Sequence, residues 1–153
     1  MELSVAVTMA GMTFEDLPPR ASKIPLSDRR VAADVIDLII GDTDRATGCV
    51  GLMICDSEHR GLQPLVLHDI PADAEASGLA QLLKLVLPLV RENDGSVLIG
   101  RGRPRGRVPD DVDRAWHQRT IDLCEEAGVP LLGFYLATGD GVFRLPEPLT
   151  EAS

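Results

Sequence analysis

Polar and apolar positions follow two different periods along the chain, and the switches between them mark the elements. Over residues 28–40, Val31, Val35, Leu38 and Ile39 form one stripe, with Asp34 at its border and Asp37 outside it. That spacing predicts an amphipathic helix capped by Ser27 and stopped at Gly41-Asp42. Residues 46–56 are a near-continuous apolar run, as expected of a strand covered on both faces. After turn residues 57–61, residues 65–68 return as a strand, and Pro64 implies an edge or a bulge there. A long helix N-capped by Asp73 is predicted next, with Leu79, Leu82, Leu83, Val86 and Val90 inward. Pro88 lies inside it and cannot donate to the carbonyl of Lys84, so a kink or an early end is expected.

Asn93-Asp94-Gly95 closes that helix, and a short strand over residues 96–99 leads into an arginine-rich loop. Pro109-Asp110 opens another helix, with Val112, Trp116, Thr120, Leu123 and Ala127 at helical spacing and Gly128 as its stop. Residues 130–137 read as a buried strand, and a turn at 138–141 leads to a last strand over 142–145. The order predicts a single α/β domain (an α+β mixed sheet) with antiparallel hairpins and about three helices, not a purely parallel doubly wound sheet. The domain is expected over residues 28–146. Residues 1–27 are an extended segment with a candidate strand over 2–8, and 147–153 a loose tail.

Charge and composition restrict the function. A formal net charge of −9 argues against a general nucleic-acid binder, and one Trp, one Tyr and three Phe are too few for a base-stacking platform. The absence of a basic, apolar N-terminal signal and of a long apolar run predicts a cytoplasmic protein that is not membrane-embedded. Cys49, Cys55 and Cys124 are odd in number and lack metal-site spacing, so reduced, mostly buried thiols are expected. Neither a metal nor another cofactor is expected. Against this acidic body, residues 100–119 hold six arginines and three aspartates, a local +3 that leaves −12 for the rest.

The sequence Arg101-Gly102-Arg103-Pro104-Arg105-Gly106, followed by Pro109-Asp110-Asp111-Val112-Asp113, lies between a strand and a helix. In that setting it resembles the signature of the RadC-like branch of the JAB (MPN) metallohydrolase fold, His-x-His-Pro-Ser-Gly and then Pro-Ser-x-x-Asp. Ala127 to Phe134 occupies the place of the strand that follows the signature helix, and the preceding elements fit that fold's order. The resemblance implies a JAB-like fold over roughly residues 28–145. In that family the two histidines and the aspartate bind a catalytic zinc, an earlier glutamate acts as general base, and the serine stabilises the oxyanion. Only Asp113 falls on such a position. Arg101 and Arg103 stand in place of the histidines, Asp110 in place of the serine, and Arg45, Ala46 and Thr47 supply no glutamate. A guanidinium has no lone pair for zinc, so the resemblance implies a metal-free relative.

Arg101, Arg103, Arg105 and Arg107 therefore suit a bound anion or an acidic segment of a protein partner. The bland alternative has Arg101 and Arg103 pairing internally with Asp110 and Asp113, and Arg105 and Arg107 solvated. Self-association is a further expectation, since symmetric pairing covers sheet edges and apolar patches. The enzyme alternative is a hydrolase, either phosphate-handling or with a metal site rebuilt from Asp113, His117 (one helical turn on), His68 beside Asp69, and Asp110.

Overall fold

The computed structural model describes Val7–Thr8, residues 23–71, Ala74 and residues 76–147. In chain order these form β1 (Val7–Thr8), α1 (Arg29–Ile39), α2 (Asp42–Thr47), β2 (Cys49–Cys55) and β3 (Gly61–His68). There follow α3 (Ser77–Glu92), β4 (Ser96–Gly102), α4 (Asp111–Ala127), β5 (Leu131–Thr138) and β6 (Gly141–Arg144). One mixed sheet runs β1-β3-β2-β4-β5-β6. Five of its strands have at least four residues, and the two-residue β1 pairs antiparallel with Val66 and Leu67 of β3. Neighbours are antiparallel except β4 and β5, whose parallel pairing uses α4 as the crossover.

Helices cover the sheet on both sides, which explains the continuous apolar runs. Along β2, Val50 and Leu52 join Leu83, Leu87, Trp116 and Leu123 from α3 and α4. Cys49, Met53 and Cys55 point the other way and join Val31, Val35, Ile36 and Ile39 from α1. The period of two is present, but both of its phases are apolar because both faces are buried. Along β4 the same alternation sends Val97 and Ile99 to the α3/α4 side and Leu98 to the α1 side.

Several local expectations are corrected. Asp28, not Ser27, caps α1, its carboxylate accepting the N–H groups of Arg30 and Val31 at 3.0 and 3.2 Å. The inward stripe of α1 is Val31, Ala32, Val35, Ile36 and Ile39, while Leu38 is 44% exposed. Residues 42–47 form the extra helix α2, so four helices are described and β2 begins at Cys49. β3 begins at Gly61, four residues early. Pro64 faces Met53 of β2 and lies two residues before Val66, where the described pairing with β1 begins. A register shift one residue further on, between Ile54 and Cys55, is the accompanying irregularity.

Ala76 occupies the N-cap of α3, and Asp73 lies outside the described residues. The helix runs through Pro88 to Glu92, because Pro88 and Lys84 lie on the solvent side, where water can take the carbonyl left without a donor. Leu87 is buried in α3, and Leu82 and Val86 only partly. Pairing of residues 2–8 into the sheet is seen only for Val7 and Thr8. Among the described residues no helix is long and apolar enough to cross a membrane.

Candidate functional site

The largest correction concerns Arg101. The ladder of β4 continues to Gly102, so Arg101 is a strand residue, in register with Val50 of β2 and Leu136 of β5. Its side chain follows Val97 and Ile99 onto the α3/α4 face and is only 1% exposed. There the guanidinium lies 4.8 Å from the ring centroid of Trp116, a cation–π contact, and Nη1 donates to Oδ1 of Asp113. Trp116 is fixed in turn by its Nε1–H, which donates to the carbonyl of Ala74 at 2.9 Å.

Asp113 enters from the first turn of α4 and is wholly buried. It is half of a reciprocal cap: Asp110 Oδ1 accepts from the Asp113 N–H at 2.8 Å, and Asp113 Oδ2 accepts from the Asp110 N–H at 2.9 Å. Arg103 completes the cluster, its Nε 3.3 and 3.2 Å from the two Asp113 oxygens and its Nη2 2.8 Å from Oδ2. Asp110 adds longer ion pairs of 3.7 Å to Arg101 and 3.8 Å to Arg103. Two arginines and two aspartates thus form a closed, neutral cluster at the end of β4. Burial pushes the Asp113 carboxyl up, but the Arg103 hydrogen bond, the Asp110 N–H and Arg101 outweigh it and hold it below its ordinary value.

The same arginine organises the loop that follows. Arg103 Nη1 donates to the carbonyl of Arg105, and Nη2 donates to that of Val108 at 3.1 Å. The β5–β6 turn clamps the other side. The Gly106 N–H donates to Asp140 Oδ2 at 2.9 Å, Thr138 Oγ1 donates to the Gly106 carbonyl at 2.8 Å, and the Gly139 N–H donates to the Pro104 carbonyl at 3.0 Å. Gly106 has φ of +119°, and a Cβ there would stand 2.7 Å from Arg103 Nη1, so glycine suits both the turn and the guanidinium beneath it. Arg105 and Arg107 are exposed on this tethered backbone and form no ion pair among the described residues.

Sequence reasoning missed three residues that hold this end of the sheet: Thr138, Asp140 and Arg45. Arg45 is 7% exposed and donates to the carbonyls of Ile40 at 2.8 Å and Thr138 at 2.9 Å, and to the Asp37 carboxylate at 2.7 Å. A single arginine in a short helix carries no local signal of burial. Its partners lie at the ends of α1 and β5.

The residues of the enzyme alternative do not converge on one site. His68 Nδ1 pairs with Asp44 Oδ1 at 2.7 Å, away from Asp113 and its arginines. His117 is 5% exposed, stacks on Phe134 with centroids 5.1 Å apart, and has no hydrogen-bond partner among the described residues. Among the described residues no group of three or more His, Cys, Asp or Glu side chains is placed to hold a metal. Cys49, Cys55 and Cys124 are buried free thiols, each pushed up to about 12, chiefly by burial.

Burial, ahead of the opposing pulls of Glu147 (upward) and Arg144 (downward), lowers the proton affinity of His117. Its unfolded value is about 6.5, so below that pH the unfolded chain binds more protons and stability falls as pH falls. His117→Gln is expected to flatten that part of the stability curve, measured by urea unfolding between about pH 7.5 and 5.5. An unchanged slope would assign the titration to another group. Comparison with protein-family models, curated proteins and solved structures finds no match for this chain.

Proposed function

We propose that the chain is a non-catalytic binding domain on a JAB-like fold, whose arginine loop docks an acidic segment of a protein partner. The observation that carries this reading is the closed Arg101–Asp113–Arg103 cluster. On the JAB-like reading this salt bridge stands in for the metal, and both carboxylate oxygens of Asp113 are engaged, which supports a non-catalytic role. The internal pairing of Arg101 and Arg103 narrows the docking surface to Arg105 and Arg107. Their backbone is held by Arg103, Thr138 and Asp140, so less loop entropy opposes docking than on a floppy segment. A rigid pair of guanidiniums favours carboxylates, and the acidic body around it repels a partner that approaches elsewhere.

The test is binding of a fluorescein-labelled hexaglutamate peptide to the full chain at low and moderate salt. Arg105→Ala with Arg107→Ala is expected to reduce affinity about tenfold or more. The same change should shift stability by no more than about 0.5 kcal/mol, because both side chains are solvated. Binding that survives the double substitution, or no binding by the native chain, would refute the assignment.

A further inference from the structure

A second site lies on the other side of α4, where that helix passes over the β5–β6 hairpin. Two cavities of about 520 and 670 Å³ meet there and share His117, Gln118, Leu145 and Glu147. Each falls within the range of small-molecule pockets. The first is walled by apolar side chains, among them Ile121, Val129, Leu131 and Phe134. His117 stacks on Phe134 within it and has no hydrogen-bond partner at either ring nitrogen among the described residues.

Among the described residues, Arg144 of β6 is the one arginine or lysine that lines this cavity. Its Nη2 donates to the carbonyl of Leu132 at 3.3 Å, and its Nε is the one buried side-chain nitrogen or oxygen without a hydrogen-bond partner among the described residues. The guanidinium lies close over Gly133, where a Cβ would stand 3.3 Å from Nε and 3.4 Å from Nη2. That Nε is sealed beneath the side chain against Gly133, so what the 19%-exposed guanidinium can offer a ligand is its outer end, where Glu147 stands. A carboxylate already stands beside that end, farther off than the Leu132 carbonyl. Glu147 approaches with one oxygen 3.7 Å from Nη2, beyond hydrogen-bond distance, and its side chain is 71% exposed.

We propose that this cleft binds a small monocarboxylate with an apolar body, whose carboxylate takes Arg144 in place of Glu147 while the body lies against Phe134 and Leu131. A guanidinium edge offers two parallel N–H donors, the geometry that matches a carboxylate. Asp122, Glu125 and Glu147 also line the cavity, and their charge disfavours a dianion such as phosphate. The apolar walls select for the body of the ligand and exclude a small hydrophilic acid. The cavity that holds Arg144 shares no residue with the arginine loop, whose Val108 and Pro109 line only the neighbouring cavity, so the proposal stands or falls independently of Arg105 and Arg107.

The experiment is titration of the full chain with octanoate, 1-octanol and inorganic phosphate, read by calorimetry and by the imidazole resonances of His117. Octanoate is expected to bind and to shift those resonances, octanol to bind about tenfold more weakly, and phosphate not at all. Arg144→Gln should weaken octanoate about tenfold, with far-UV circular dichroism confirming the fold. Glu147→Gln, which removes the competing carboxylate and leaves Arg144 in place, should tighten it about threefold. Octanol binding as well as octanoate, a silent His117, or octanoate affinity indifferent to Glu147→Gln would each overturn the proposal.

Discussion

Asp113→Ala is expected to lower the unfolding free energy by about 3–5 kcal/mol, the range for breaking a buried ion pair from one side. Arg101 is 1% exposed and draws its charge compensation from Asp113, with Asp110 at 3.7 Å. Removing the carboxylate leaves a desolvated guanidinium, strips Arg103 of its best partner and deletes half of the cap of α4. Urea unfolding followed by Trp116 fluorescence measures the loss, and a change below about 1 kcal/mol would show that the cluster contributes little. The pair need not be a net stabiliser for this result. Asp113→Leu combined with Arg101→Met should be less damaging than the two single effects summed, because no buried charge is then left alone.

The same carboxylate gives a second reading of the cluster through pH. Its folded proton affinity is below the ordinary value, so its contribution is fully present above the unfolded pKa of about 3.9 and disappears as pH falls through the folded one. That acid limb lies well below the one assigned to His117, which begins near pH 6.5, so the two separate in a single stability–pH curve. Asp113→Asn removes the lower limb and leaves the upper.

Gly48→Ala is the second substitution with a large expected cost, about 3 kcal/mol or more, or failure to fold. Gly48 has φ of +92°, and a Cβ there would stand 2.0 Å from the carbonyl oxygen of Ile70, a backbone atom that cannot rotate away. The Ile70 N–H donates to the Gly48 carbonyl at 2.9 Å, so relieving the clash would break the contact that closes the β2–β3 hairpin beside its open end. Gly41→Ala is the control: a Cβ there meets nothing within 4 Å, and φ is −74°. Its stability should change by less than about 1 kcal/mol. Equal effects at the two glycines would refute the steric account.

Much of the candidate site was legible in the chain, because four arginines and three aspartates fall within residues 101–113. Opposite charges at that density meet over short distances, and Pro109-Asp110 marks the start of α4, where the structure adds the reciprocal cap of Asp110 and Asp113. What the local pattern misplaced was the end of β4. Gly100, Arg101 and Gly102 look like loop, yet Gly100 and Gly102 are strand positions where a Cβ would crowd Ile36 and Ile40 at the first and Cys49 Sγ and Ile40 at the second. The same geometry turns Arg101 inward. The cleft at Arg144 and His117 left no trace in sequence because its lining comes from α4, β5, β6 and the residues beyond β6.

The amino-acid sequence by itself determined the mixed α/β class, the two hairpins and the helix opened by Pro109-Asp110, and it offered the pairing of arginines with aspartates as one of its alternatives. These rest on periodicity, turn chemistry and charge, which act between residues close along the chain. Tertiary structure alone decided which charges are buried. Whether a guanidinium is solvated or sealed depends on what stands across from it, and Trp116, Thr138 and Asp140 reach the arginine segment only once α4 and the β5–β6 hairpin have folded back over the end of β4.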